Sequence, residues 1–223
     1  AMLCCQEGRL SEFSFCPIEE RSTVEFPADW SFVVAVSGVL AEKTGAALES
    51  YNNASLLARE LVREWNQATG RDDAVLADAL AVEDGLEGLR AVASSDPDLV
   101  ARLNAFVTES ETVIPRALKA LRSRDLTALG DAADLSHRNA DAALGNQIAE
   151  TNVLQALARG LGAHAASGFG AGFGGSVWAL IDNHRAEDFA QRWLAAYRRE
   201  FPEPGARATV LVTRPGPAAH RLS

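Results

Sequence analysis

The segment Gly168-Phe-Gly-Ala-Gly-Phe-Gly-Gly175 constrains this chain more than any other. Five glycines in eight residues carry a large entropic cost on folding. That cost is tolerated where a backbone must turn tightly or come close to a ligand. Successive backbone N–H groups in such a turn can cradle an anion. A tight connector between two strands uses the same composition, so both readings stand at this point. The flanks place the loop. Ala163 to Ser167 reads as a short strand of small residues, and Ser176 to Asp182 as an apolar strand. An amphipathic helix follows over His184 to Glu200, with Phe189, Trp193, Leu194 and Tyr197 inward, then a last strand over Ala206 to Thr213.

Two familiar patterns match the loop by coincidence. Gly170, Gly172 and Gly175 satisfy GxGxxG, but a dinucleotide fingerprint needs a helix after the turn, and here a strand follows. With Val177 the same glycines satisfy GxGxxGxV of the protein kinases. That fold needs a strand lysine after the loop and a DFG. The chain's only lysines, Lys43 and Lys119, both precede the loop, and DFG is absent.

Upstream, the chain reads as strands and then as a helical block. Met2 to Cys5 and Leu10 to Cys16 flank a hairpin turn at Gln6-Glu7-Gly8-Arg9. Trp30 to Val36 is an apolar, β-branched run expected to be a buried strand, ended by Ser37-Gly38. Leu48 to Ala68 carries Leu56, Leu57, Leu61 and Trp65 at helical spacing, and two shorter helices fill Ala74 to Ala93. Asp96-Pro97 starts another helix, which Pro115 should kink or interrupt. Asp125 starts a helix with Leu126, Leu129, Ala133, Ala140 and Leu144 on one stripe. Gly145-Asn146 separates it from a third, with Ile148, Leu154, Leu157 and Leu161 inward. This order points to an α+β fold, an antiparallel sheet covered by a helical layer. The tail from Arg214 to Ser223 is expected to fray.

Composition narrows the partners. With 223 residues, 48 % hydrophobic and 23 % charged, the chain is neither disordered nor a disulfide scaffold. A net charge of −9 argues against nucleic acid. Arginines outnumber acidic residues from His184 onward, which reads as a solvated face. No apolar run is long enough for a membrane span, and no signal peptide is visible. Cys4, Cys5 and Cys16 have no metal-ligand spacing, so reduced, buried thiols in a cytoplasmic protein are expected.

Gly170-Ala-Gly-Phe-Gly-Gly175, between a small-residue strand and an apolar strand, resembles the third signature of the GHMP kinases, on the galactokinase branch. Three further segments agree in order: Pro27-Ala-Asp-Trp-Ser-Phe-Val-Val-Ala-Val-Ser-Gly-Val39, Tyr51-Asn52 at a helix start, and Ser136-His137 on the helix before the loop. Ala1 to Cys5 resembles the strand that begins just after the family's catalytic aspartate. The resemblance implies a sugar kinase that moves the γ-phosphoryl of Mg·ATP to a sugar hydroxyl, the anomeric one in galactokinases. It also implies that residues 1–40 end an N-terminal kinase domain, that 41–214 form the C-terminal domain, and that 215–223 are tail. The family's main phosphate loop and catalytic aspartate lie in the N-terminal half. No catalytic or metal-binding residue is therefore assigned to this chain, no tight binding of Mg or ATP is expected, and the chain alone should be inactive. The alternative is a non-catalytic, kinase-derived binding or interaction module.

Site residues carry over one by one. Tyr51 matches the tyrosine that contacts the sugar, although packing at a domain seam would suit the same position. Gly170, Gly172, Gly174 and Gly175, with Ser167, match the loop that supports the phosphate loop. Ser136 and His137 match a pair near the site. His137 shares a stripe with Leu126, Ala133, Ala140 and Leu144, so a packed, hydrogen-bonded histidine behind the loop is favoured over a base. Glu150 suits the helix dipole at the start of its helix. Three positions depart from the family: Phe169 replaces a threonine, Asn53-Ala54-Ser55 replaces an arginine pair, and Ile148-Ala149 opens the last helix before the loop. They leave the sugar open, with galacturonate or another hexose as compatible as galactose. Separation from an N-terminal domain should expose an apolar face, through which the chain could form a homodimer.

Overall fold

The computed structural model describes residues 6–40, 46–170 and 172–218, without the side chains of 46–51. The fold centres on a four-stranded antiparallel sheet of order β4-β5-β3-β6, formed by β3 (Trp30–Val36), β4 (Ala165–Gly168), β5 (Ser176–Asp182) and β6 (Thr209–Thr213). The apolar run Trp30–Val36 lies between two neighbours. Val34 stands opposite Trp178 on one side and Leu211 on the other. Residues 30–36 thus share one sheet with the C-terminal strands. This is the α+β architecture expected from the sequence.

Strand alternation sorts the two faces. Val33, Ala35, Val177, Ala179 and Ile181 bury against α7 (Ala149–Gly160) and α8 (Ala186–Glu200), where Leu154, Phe189, Trp193 and Tyr197 complete the main core. Removing several such side chains from water, at roughly 2 kcal/mol each, is the principal stabilising term of this layer. On the opposite face Phe32, Trp178 and Leu180 meet Leu129 and Ala133 of α6 (Leu126–Ala142) and Ala120 of α5 (Ile114–Ser123). A separate helical core joins α1 (Ala46–Thr69), α2 (Leu76–Leu80), α3 (Gly85–Ala93) and α4 (Pro97–Val107) around Leu61, Trp65, Leu89 and Leu103.

Local chemistry explains the boundaries. Asp96 caps α4 by accepting from Asp98 N–H at 2.8 Å, with Pro97 in the first turn. Asp125 caps α6 by accepting from Ala128 N–H at 2.9 Å. The interruption expected at Pro115 takes the form of a π-helical turn, Thr108–Val113, between α4 and α5. Within it Ile114 N–H bonds to Glu109 C=O, five residues back.

Four features differ from the sequence expectation. A turn does form at Gln6–Arg9, but Met2–Cys5 lies outside the described residues. The hairpin seen pairs β1 (Arg9–Phe15) with β2 (Ile18–Glu25) across a cis Cys16–Pro17 bond. Glu19, Glu20, Arg21 and Glu25 hid β2, because both sides of the hairpin's outer half face water. Cys16 at the tip is exposed rather than buried, for the same reason. A short helix, α9 (Pro202–Arg207), precedes β6, whose start moves to Thr209. Finally, Arg214 is held: its guanidinium donates to the carbonyls of Pro27, Ala28 and Trp30 and lies over the Phe26 ring. The carbonyl of Pro215 accepts the N–H of Gly8 at 3.1 Å.

Candidate functional site

The glycine-rich loop joins β4 to β5 at the end of the sheet. Gly170, Gly172, Gly174 and Gly175 have φ of 82°, 81°, 126° and 83°, so each occupies backbone space that L side chains avoid. Phe173 shares the left-handed region at 58°. A Cβ on Gly172 would collide with the carbonyl oxygen of Asn146. The same carbonyl accepts the Phe173 N–H at 2.6 Å, so the loop is fastened onto the Gly145–Ile148 connection. Its other end is fastened to the segment after β3. Gly175 N–H donates to Val39 C=O at 3.1 Å, and Ser37 N–H donates to Gly175 C=O at 2.8 Å. Ser37 is fully buried, and its own carbonyl accepts the Tyr197 hydroxyl at 2.8 Å. Among the described residues no hydrogen bond takes up the amides of Gly170, Gly172 and Gly174.

His137 of α6 sits behind the start of this loop, 5 % exposed. Its Nδ1 accepts the N–H of Gly168 at 3.0 Å, and its Nε2 lies 2.9 Å from Asn152 Oδ1. A backbone N–H can only donate, so Nδ1 must be unprotonated and Nε2 carries the proton toward Asn152. Asn152 in turn donates to Asp141 Oδ1 at 3.1 Å. Burial holds the imidazole below its usual pKa, outweighing the Asn152 bond and the more distant charges of Asp141 and Asp134. Both ring nitrogens are engaged, which makes His137 a support for the loop rather than a free base.

The remaining sequence candidates are placed as follows. Ser167 is buried in β4, its hydroxyl 3.1 Å from the Gly168 carbonyl. Ser136, next to His137 on α6, turns elsewhere and donates to both carboxylate oxygens of Glu109 in the π-helical turn, at 3.0 and 3.1 Å. Tyr51 lies in the second turn of α1 rather than at its start, and its side chain is outside the described residues. The structure thus joins His137, Ser167 and the glycine loop, and separates Ser136 from them. Asn146, Asn152 and Tyr197 were missed by sequence reasoning. Asn146 stood only as part of a separator and Tyr197 as a core aromatic, and one residue's hydrogen-bond direction leaves no periodic signal. Among the described residues no three His, Cys, Asp or Glu side chains converge to hold a metal. No helix there is long and apolar enough to cross a membrane.

Residues 117–199, which contain α6, His137, the glycine loop and most of α8, match the family model described as GHMP kinases C terminal. That match covers a little over a third of the chain, and the fold as a whole is galactokinase-like. The galactokinase of Lactococcus lactis, solved with galactose, superposes with a TM-score of 0.80 at 20 % identity, covering 97 % of this chain and 53 % of that one. A mevalonate kinase from L. major, solved with R-mevalonate, gives 0.47 at 15 % identity, covering 88 % and 47 %. That second likeness is too loose to argue from. The chain therefore spans about half the length of the solved structures it matches. No curated protein matches its sequence.

Proposed function

We propose that this chain is the C-terminal portion of an ATP-dependent sugar kinase of the galactokinase kind. In that reaction a sugar hydroxyl, the anomeric one, attacks the γ-phosphorus of ATP. The bond from γ-phosphorus to the bridging oxygen breaks, ADP departs, and the hydroxyl proton passes to a base. Such chemistry rests on positioning and charge stabilisation, which magnesium supplies with backbone and cationic groups. The observation that carries the reading is the anchored glycine loop, collinear with the family's other segments. Its four left-handed glycines carry no side chains, and the loop is backed by His137 and fastened at both ends. Gly170, Gly172, Gly174 and Gly175, with Ser167, support the phosphate loop in this reading. Tyr51 packs on the sugar and His137 backs the loop, while Ser136, held by Glu109, lies apart from it. Part of the chain's exposed apolar surface is the face toward an N-terminal domain in this reading. The enzyme works in the cytoplasm, and neither nucleic acid nor membrane is among its partners.

The test has two arms. The purified chain is incubated with Mg·ATP and a hexose panel, and ADP release is followed. The genomic sequence upstream of Met2 is then read in frame. We expect no turnover by the chain alone, and an upstream frame encoding a glycine/serine-rich loop and an aspartate. Robust sugar phosphorylation by the isolated chain would refute the half-enzyme reading. An upstream frame lacking both features would remove the kinase reading.

A further inference from the structure

The sheet ends on a strand that reads the same in both directions, Thr209-Val-Leu-Val-Thr213. Among the described residues β6 is terminal in the sheet and pairs with β3 alone. Which of its backbone groups face outward follows from the ladder. Ser37 N–H points toward the β5 side, to Gly175. By alternation, Phe32, Val34 and Val36 direct their backbone groups to β6, opposite Thr213, Leu211 and Thr209. Val210 and Val212 therefore turn their N–H and C=O groups to the open edge.

We propose that this edge pairs with the same edge of a second copy of the chain, antiparallel, about a two-fold axis through Leu211. The palindrome makes the strand its own complement. Val210 of each copy meets Val212 of the other, and the two exchange both N–H···O bonds. Thr209 meets Thr213, and Leu211 meets Leu211 in the closer, non-hydrogen-bonded register, with Cα atoms about 4.5 Å apart. An isologous contact of this kind closes at the dimer.

Three observations favour a second copy. The edge lacks the devices that usually block strand addition: it has no charge, no proline and no bulge. The flanking arginines are tied back within their own chain, Arg207 Nε to the Gly38 carbonyl at 3.1 Å and Arg214 to the carbonyls of Pro27, Ala28 and Trp30. Leu211 is 61 % exposed and continues a cross-strand row, Trp178–Val34–Leu211, that pairing would extend across the axis into the partner. The dimer joins edge to edge, which is distinct from closure of the apolar faces on each other, and it does not depend on the kinase reading.

Sedimentation of the full chain tests this, beside Leu211→Lys, Val212→Pro and Leu211→Cys in a background with Cys4, Cys5 and Cys16 changed to Ser. The wild type should sediment as a dimer. Leu211→Lys opposes two ammonium groups at the axis, and Val212→Pro removes an outward N–H that β3 does not use. Both should give monomers with unchanged circular dichroism. Leu211→Cys should form a covalent dimer on mild oxidation. A monomeric wild type, or a dimer that survives in the Lys and Pro variants, would overturn the proposal. Loss of the dimer only on Phe15→Ser or Ile18→Ser at the exposed hairpin tip would overturn it equally. If Leu211→Lys misfolds, failure of Leu211→Cys to cross-link serves as the refuting result.

Discussion

Nδ1 of His137 accepts the backbone N–H of Gly168 at 3.0 Å, and this bond couples α6 to the first residue of the glycine loop. Replacing the ring by leucine leaves a buried N–H without a partner, at a cost of about 1–3 kcal/mol. His137→Leu should therefore lower stability by that amount in urea unfolding, and His137→Asn, which keeps an acceptor near Nδ1, by less. Equal losses in both would show that packing, not the bond, matters here.

The same ring gives a pH dependence of definite sign. Its folded pKa lies below the ordinary value of 6.5, mainly through burial. As pH falls below about 6.5 the unfolded chain takes up a proton that the folded chain resists. The contribution is complete above that value and is lost on descent toward the folded pKa. Wild type should lose more melting temperature than His137→Asn between about pH 7 and pH 5. Parallel profiles would contradict the assignment.

Two glycines of the loop separate backbone strain from steric collision. Gly170 and Gly172 have nearly the same φ, 82° and 81°. A Cβ at Gly170 meets open space, whereas one at Gly172 strikes the Asn146 carbonyl. Gly170→Ala should cost about 1–2 kcal/mol, the left-handed penalty alone. Gly172→Ala should cost more, because the loop must leave Asn146 and give up the Phe173 bond. Amide exchange at Phe173 reports the second event directly. It should accelerate in Gly172→Ala and stay slow in Gly170→Ala.

Tyr197 locks the other end of the loop through the Ser37 carbonyl at 2.8 Å. Tyr197→Phe strands that buried acceptor and should destabilise by about 1–3 kcal/mol near neutral pH. Burial pushes the phenol up to about 12 from 10.0. The unfolded chain therefore ionises first, and the stabilisation is present below about pH 10 and declines as pH rises toward the folded value. The gap between wild type and Tyr197→Phe should narrow across that window. A constant gap would show that the hydroxyl remains protonated in both states.

Arg214 ties the chain's end to the approach to β3. Its guanidinium holds the carbonyls of Pro27, Ala28 and Trp30 and stacks on Phe26 at 5.1 Å. Arg214→Ala should raise proteolytic sensitivity at Pro27–Asp29 and after Thr213 together. Arg214→Lys should not restore protection, since an ammonium lacks the planar fork that spans several carbonyls. Protection retained in Arg214→Ala would assign the anchoring to Pro215 and Gly8 instead.

Much of this protein was legible in its sequence, and the legible parts share a cause. The buried strand Trp30–Val36, the caps at Asp96 and Asp125, the helix stripes around Leu61 and Leu154, and the glycine loop are local patterns. They are periodicities of burial or backbone preferences, written in consecutive residues. The tertiary structure alone decided what has no local signature. β2 is a strand because β1 pairs with it, despite its charges. Ser136 and His137 are neighbours in sequence but point to different elements, since adjacent helical residues lie about 100° apart. Asn146 and Tyr197 fasten the loop only because folding brings residues 37, 146, 173 and 197 to one place. Composition and spacing specify which surfaces must leave water. Only the packed fold specifies which donor meets which acceptor, because that depends on directions fixed by residues far apart in the chain.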